Sequence, residues 1–249
     1  MAGHSKWANI RHRKGAQDAK RGKIFTKLIK EITVSVKTGG GPDADANPRL
    51  RAAIQNAKGQ NMPKDTIERA IAKASGAGGE DYKEINYEGY GPDGVAIFVE
   101  CATDNHTRTV ANVRMYFNKF NGSMGQNGCL QFIFDHKGIF LIPKENIDED
   151  ELQLELIESG AEDFESDDDF MTVFTDMTEF GNVQKALQRL EIEPKEAGLQ
   201  RVPTVTKAIG QKHVATFLKL IDALEDLDDV QNVYHNAEID EAMLDAALA

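Results

Sequence analysis

The sequence has little of what marks several common protein classes. It holds two cysteines and one tryptophan in 249 residues, and no cysteines or histidines have the close spacing of a zinc site. Cys101 and Cys129 lie in apolar surroundings, which favours buried free thiols in a reducing compartment over a disulfide. No apolar run is long enough to span a membrane, and the first residues lack the apolar core of a secretory signal. These features predict a protein of a reducing compartment with neither a membrane span nor a secretory signal.

Motifs for nucleotide binding and catalysis are also missing. The glycines at 39–41 follow a helical pattern and lack the Gly-Lys-Ser/Thr of a P-loop, which favours a flexible turn over a phosphate cradle. Asp104, His106 and Arg108 could form an acid–base site, but helix capping and surface polarity explain them more simply. The acidic run at 167–169 is typical of a hairpin turn rather than a metal site. We predict no catalytic residue, no metal and no cofactor.

Negative charge is abundant, but it is distributed unevenly along the chain. The net charge is −12, yet residues 1–75 carry 16 basic and 6 acidic side chains, a balance of +10. The remaining residues carry 13 basic and 35 acidic side chains, a balance of −22. A compact cationic end on an acidic protein predicts a polyanionic partner, of which nucleic acid is the obvious one. The acidic part would be repelled and would orient the molecule.

The cations of the first forty residues follow a pattern. Between positions 20 and 37 the apolar residues form one helical stripe, and Lys23, Lys27 and Lys30 fall on the opposite side. This helix is expected either to present its ammonium groups to nucleic acid or to have an ordinary solvated face. Because glutamate is nearly absent there, we expect few neutralising ion pairs within the helix.

The sequence predicts that phosphates are contacted by the cations Lys6, Arg11, Arg13, Lys14, Lys20, Arg21, Lys23, Lys27 and Lys30. Trp7 stands among them. It is a candidate for stacking on a base or ribose, and the alternative is that it anchors this segment in the protein core. Neither a helix-turn-helix nor a zinc finger nor an RNA-recognition aromatic motif is visible, which favours structured RNA or shape-directed binding over strong sequence reading.

The periodicity predicts an α+β fold with three domains. Residues 1–77 are helical, and residues 136–206 have the order βαββαβ of a ferredoxin-like domain. Residues 78–135 and 207–238 together form a second ferredoxin-like domain, into which the other is inserted. Within the first of these segments we expect a strand from Cys129 to Phe134. Residues 239–249 are predicted to be a frayed acidic tail.

Several segments together resemble the YebC/PmpR family. The match runs nearly from end to end and is most specific in the first 110 residues, with Cys129 as a departure where a small polar residue is expected. The segments that carry it are MAGHSKWANIRHRK at 1–14, KRGKIFTK at 20–27, NPRLR at 47–51, YEGYGP at 87–92 and DNHTRT at 104–109.

The resemblance implies a three-domain, cytoplasmic bacterial protein, usually labelled a probable transcriptional regulator that binds DNA. The family is also similar to a mitochondrial translational activator, and bacterial members have been tied to stalled ribosomes. The leading prediction is therefore a nucleic-acid-binding regulator of gene expression. The alternative is a ribosome-associated translation factor that binds ribosomal RNA, and an enzyme is a distant third. No membrane partner is expected, and the oligomeric state stays open.

Overall fold

A computed structural model describes residues 21–76, 81–145 and 147–248 of the chain. The helices are α1 (Arg21–Thr38), α2 (Pro48–Gly59), α3 (Lys64–Ser75), α4 (His106–Lys119), α5 (Glu149–Glu158), α6 (Phe180–Arg189), α7 (Gln211–Glu225) and α8 (Glu241–Leu248). The strands are β1 (Lys83–Tyr90), β2 (Ala96–Thr103), β3 (Ser123–Met124), β4 (Phe134–Pro143), β5 (Ala161–Ser166), β6 (Phe170–Asp176), β7 (Glu196–Pro203), β8 (Lys207–Ala208), β9 (Val230–His235) and β10 (Ala237–Glu238). The predicted α+β class is confirmed.

The described residues pack as two compact units. The first takes in 81–135 and 201–249 with the start of α1 through Lys27, and the second takes in 28–80 and 136–200. The second unit thus combines most of the amino-terminal helices with the inserted βαββαβ segment. The three-domain division and its boundaries stay a prediction.

The first unit is built on an antiparallel sheet with the strand order β3-β1-β2-β9. β1 and β2 form a hairpin, paired from Lys83 with Thr103 to Tyr90 with Ala96, and β9 joins the far edge of β2. One face of the sheet forms a core with α4 and α7, in which Val113, Phe117 and Phe217 are fully buried. The late segment therefore completes the sheet that the earlier segment begins.

The expected strand from Cys129 to Phe134 is wrong over most of its length. These residues form turns, and β4 begins only at Phe134. The cause is the carboxylate of Glu88, which accepts hydrogen bonds of 2.7 Å from the backbone N–H groups of both Gly128 and Leu130. Backbone donors that a strand would use for a ladder are bound to a side chain instead.

The predicted frayed tail is also wrong. Residues 241–248 form α8, which contacts α7. Leu244 is 6% exposed and belongs to the core of the first unit, and Met243 packs against that core. The acidic residues of this segment obscured its helical periodicity, in which one apolar side packs against the core of the first unit.

In the second unit the strand order is β5-β6-β4-β7, the arrangement of a ferredoxin-like domain. α5 and α6 cover one face through a core that includes Leu156, Phe140 and Val183. At the free edge of β7, the amide of Asn56 on α2 donates to Ala197 O at 2.8 Å and accepts from Ala197 N at 3.0 Å. A side chain of α2 thus satisfies backbone groups that an edge strand leaves unpaired.

Asn47 holds the junction between α1 and α2. It is fully buried; its Oδ1 caps α2 by accepting from Leu50 N, and its Nδ2 donates to Ser35 O and Gly41 O. Pro48 then occupies the first helical position, where its missing N–H costs no hydrogen bond.

We predict that Asn47→Ala lowers the free energy of unfolding by about 2 kcal/mol, because the cap is lost and buried carbonyls lose their donors. Asn105→Ala is the matched control, since Asn105 caps α4 from an exposed position by accepting from Arg108 N. It should cost about 1 kcal/mol. Urea denaturation measures both, and equal losses would show that the two donated bonds contribute nothing.

Candidate nucleic-acid interface

Most of the predicted phosphate contacts lie outside the described residues. This applies to Lys6, Trp7, Arg11, Arg13, Lys14 and Lys20, and the side chain of Arg21, the first residue of α1, is likewise outside. The structure describes the other three, which are Lys23, Lys27 and Lys30. For all ten residues a nucleic-acid contact stays a prediction.

The three described lysines do not form the row of free ammonium groups that the sequence predicts. Lys23 Nζ lies 3.2 Å from the carboxylate of Asp226, and Lys27 Nζ donates to Glu225 O at 2.7 Å. Lys30 is only 7% exposed. The carbonyls at the end of a helix lack backbone donors and attract cations, so the end of α7 engages the first two lysines. We expected few neutralising contacts because we counted acidic residues within α1 alone. The groups that engage Lys23 and Lys27 lie about 200 residues away in the sequence, at the end of α7.

Two arginines of α2 also have structural partners. Arg49 forms a fork with Glu31, with Nε to Oε1 at 2.8 Å and Nη2 to Oε2 at 3.2 Å. Arg51 donates to the carbonyls of Ala44 and Asp45. A guanidinium held in this way has fewer donors left for a phosphate, so these residues hold α2 to α1 and to the connecting loop.

A second set of cations stays exposed on α2 and α3. We call it the α2–α3 basic surface, and its members are Lys58, Lys64, Arg69 and Lys73. Lys64 is 84% exposed and lies 3.6 Å from Glu68, a surface pair too weak to withhold it from a polyanion. Arg69 donates to Asp65 O and Thr66 Oγ1 on its own helix. All four side chains are exposed, so each can be reached by a phosphate.

Two of the three residues considered for acid–base chemistry, Asp104 and Arg108, belong to a structural clamp, whereas the ring of His106 stacks against Tyr87. Arg108 binds the carboxylate of Asp229 from Nε at 3.0 Å and from Nη2 at 2.7 Å, and it binds Asp104 at 2.8 Å. Thr109 Oγ1 donates to Asp229 as well. The hydrogen bond that Arg108 donates to Asp229 raises the pKa of Arg108. Sequence reasoning missed Asp229 because it is 121 residues from Arg108, and no local pattern connects them.

A second carboxylate that the sequence did not single out is buried. Both oxygens of Glu165 on β5 are shielded from solvent and have no hydrogen-bond partner within the described ranges. Burial, with a smaller contribution from the carboxylate of Asp163, raises the pKa of Glu165 to about 7. Such a group can mark a functional site, but among the residues that the structure describes no second titratable group with a complementary shift accompanies it.

The remaining chemistry-bearing residues are unremarkable in geometry. Both cysteines are free, but Cys129 is exposed, so the prediction that both thiols are buried is wrong for it. Asp167 closes the predicted hairpin turn by accepting from the N–H groups of Asp169 and Phe170. No cluster of three or more metal-binding side chains occurs in the described part of the chain. None of the helices that the structure describes is long and apolar enough to cross a membrane.

The fold defines a class of protein in which basic amino-terminal helices precede two four-stranded sheets, each with helices packed against it. Comparison with known families identifies both parts. Residues 5–77 match the family model of the TACO1/YebC protein N-terminal domain, and residues 82–237 match that of the TACO1/YebC second and third domain. The chain belongs to the TACO1/YebC family, and the resemblance seen in its sequence motifs is confirmed.

Relatives span essentially the whole chain. A "Probable transcriptional regulatory protein" of Clostridium botulinum is 53% identical over 243 residues, covering 97% of this chain and 98% of its own. One of the same name from Geotalea uraniireducens is 51% identical over 248 residues, covering 98% and 99%. The crystal structure of a conserved hypothetical protein from Aquifex aeolicus is similar with a TM-score of 0.83 at 42% identity, covering 95% of this chain and 98% of that one.

The clamp predicts unequal effects for the two carboxylates that bind Arg108. Asp229→Ala should lower the free energy of unfolding by about 3 kcal/mol, because the side chain is buried and its removal takes away the acceptor that Arg108 binds through two nitrogens and that Thr109 shares. Asp104→Ala should cost less than about 0.5 kcal/mol, because that pair is solvent-exposed. Chemical denaturation of the two variants tests this, and similar losses would contradict the assigned roles.

Glu165 predicts a specific pH dependence of stability. The raised pKa means that the folded protein holds this proton in a range where the unfolded chain, with its usual value of 4.5, has lost it. Stability of the wild type should therefore fall as the pH rises from 4.5 to about 7 through this group. Glu165→Gln should lack that component of the decline, while the exposed neighbour variant Glu162→Gln should keep it. If the free energy of unfolding, measured in urea, changed with pH in the same way for the wild type and Glu165→Gln, the raised pKa of Glu165 would be excluded.

Proposed function

We propose that the protein is a non-enzymatic, cytoplasmic regulator of gene expression that binds nucleic acid through its basic amino-terminal region. The observation that carries the proposal is the charge distribution, +10 over residues 1–75 in a chain of net charge −12. The α2–α3 basic surface adds exposed cations to those of the first twenty residues. The names of the relatives support a role in regulation.

The proposed interaction is dominated by phosphate contacts. Lysine and arginine side chains release counterions when they neutralise phosphates, so affinity should fall steeply with salt. If about six phosphates are engaged, we expect a loss of ~10³ or more between low and moderate salt. The cations proposed to make these contacts are Lys6, Arg11, Arg13, Lys14, Lys20, Arg21, Lys23, Lys27 and Lys30, with Trp7 as a stacking candidate.

Not all of these positions are expected to contribute equally. Lys23 and Lys27 have partners at the end of α7, and Lys30 is buried, so their use in binding requires those contacts to be exchanged. Lys64 and Arg69 of the α2–α3 basic surface contact residues of their own helix, so their use in binding exchanges contacts within α3. We therefore propose that the α2–α3 basic surface, together with the cations of the first twenty residues, provides most of the affinity.

A second candidate is a ribosome-associated translation factor that binds ribosomal RNA. It is favoured by the sequence, which has none of the motifs that read base edges, so that affinity without strong sequence discrimination is expected. The two candidate functions predict different partners in a sedimentation experiment. Co-migration with ribosomes in sucrose gradients, lost after nuclease treatment, together with no retention on promoter DNA at moderate salt, would select the second.

Charge reversal tests the shared core of both candidates. Arg11→Glu, Arg13→Glu and Lys14→Glu together should abolish binding to duplex DNA and to structured RNA, and Lys58→Glu with Lys64→Glu should weaken it about tenfold or more. The matched control reverses three exposed cations of the first unit: Lys207, Lys212 and Lys219.

The control should bind within about threefold of the wild type, because it changes the net charge as much as the first variant without touching the basic region. Thermal unfolding should stay nearly unchanged in all variants. Equal loss in the control would show that overall charge alone governs binding. A collapse of the melting temperature in the first variant would assign those residues to structure.

A further inference from the structure

The exposed face of α5 has a composition unlike that of an ordinary solvated helix. Leu152 and Leu156 point into the core of the second unit, as expected. On the opposite side, Leu154 is 68% exposed and Ile157 is 53% exposed. Residues three apart in sequence are neighbours on a helix surface, so these two side chains form one small apolar patch. We call this pair with its flanking acids the α5 face.

Three carboxylates surround the apolar pair. At 100° per residue, Asp150, Glu151 and Glu158 lie on the same side of the helix as Leu154 and Ile157. All three are exposed, and none of them has an ion pair with another described residue. The other acids of α5 are already engaged, Glu149 by Lys144 at 2.7 Å and Glu155 by Arg189 at 2.8 Å.

Beside Ile157 a groove of about 470 Å³ separates the end of α5 from α6. Ile157, Gly160 and Ala186 contribute to its lining, together with Lys185 and Arg189 on the α6 side. The groove offers space for an apolar side chain next to Ile157. Glu158 and Glu179 also line the groove, so its charge is mixed. A positively charged partner would place its own charges over the exposed carboxylates of α5 rather than over Lys185 and Arg189.

The charge of the surrounding segment excludes some partners and favours others. Residues 136–200 carry 5 basic and 18 acidic side chains, a net charge of −13. Nucleic acid and anionic membrane surfaces would be repelled. A second copy of the chain meeting this face symmetrically would set the same carboxylates against each other. A cationic protein segment with apolar residues one helical turn apart is complementary in both charge and shape.

We propose that the α5 face is a docking site for a short, basic, amphipathic segment of another protein. The partner's apolar side chains pack on Leu154 and Ile157, and its lysines or arginines pair with Asp150, Glu151 and Glu158. The small apolar area fits a short segment and a transient complex rather than a large permanent interface. This role is separate from nucleic-acid binding, which uses the basic amino-terminal region.

The test uses the full-length protein and a fluorescein-labelled helical peptide with two leucines one turn apart, flanked by lysines. Fluorescence anisotropy should show binding that weakens about tenfold in Leu154→Gln with Ile157→Gln, because the apolar contact is lost. Asp150→Asn, Glu151→Gln and Glu158→Gln together should weaken it by a similar factor and flatten its salt dependence. Leu154→Ala and Ile157→Ala serve if the glutamine variant fails to fold.

The matched control removes three exposed carboxylates elsewhere in the same segment, by Glu145→Gln, Asp168→Asn and Glu193→Gln. It should leave peptide affinity within about twofold of the wild type. Equal weakening in this control would show that binding depends on overall negative charge and would overturn the proposal. Equal binding of a peptide with the same composition but scattered leucines would show the same. Self-association abolished by Leu154→Gln, or RNA binding lost in the α5 variants, would overturn it as well.

Discussion

Repulsion between like charges is the constraint on which the functional organisation of this chain depends. The inserted segment of residues 136–200 alone carries −13, more than the net charge of the whole protein, whereas residues 1–75 carry +10. We therefore expect a phosphate backbone to be attracted by residues 1–75 and repelled by the inserted segment. Because physiological salt screens exposed charges beyond about 8 Å, the residues that matter are those close to the bound phosphates rather than the sum over the chain.

Local contacts then determine which cations are available. The end of α7 binds Lys23 and Lys27, and Glu31 binds Arg49, so part of the positive charge near the amino end stabilises the fold. The same principle applies to negative charge on α5, where Lys144 and Arg189 engage two acids and leave three others exposed. Counting charges in the sequence overestimates the number of charged groups available on both surfaces, because it cannot show which groups already have partners.

Much of the fold could be predicted because its signals are local. Asn47 followed by Pro48 predicts a helix start, and the Gly-Pro-Asp-Gly turn at 91–94 between apolar runs predicts the β1–β2 hairpin; both are present. The failures all involve distant partners. Glu88 holds the segment near Cys129 out of a strand, and the core of the first unit orders α8.

The candidate site was harder to predict than the fold for the same reason. Periodicity identified one side of α1 as lysine-rich, but the groups that engage those lysines lie 198 and 203 residues away in sequence. Asp229 and Glu165 had no local signal at all, because their environments arise only when separate segments pack together. The exposed cations of α2 and α3 were predictable as a positive surface, apart from the two arginines that the neighbouring helix and loop bind.

Lysine acetylation footprinting of the full-length protein, with and without bound structured RNA or duplex DNA, tests the central claim most directly. The account predicts protection of Lys6, Lys14, Lys20, Lys58 and Lys64 on binding. The four lysines of the acidic insert, Lys137, Lys144, Lys185 and Lys195, should react equally in both states. Protection centred on those four, or no change at the amino-terminal lysines, would contradict the account.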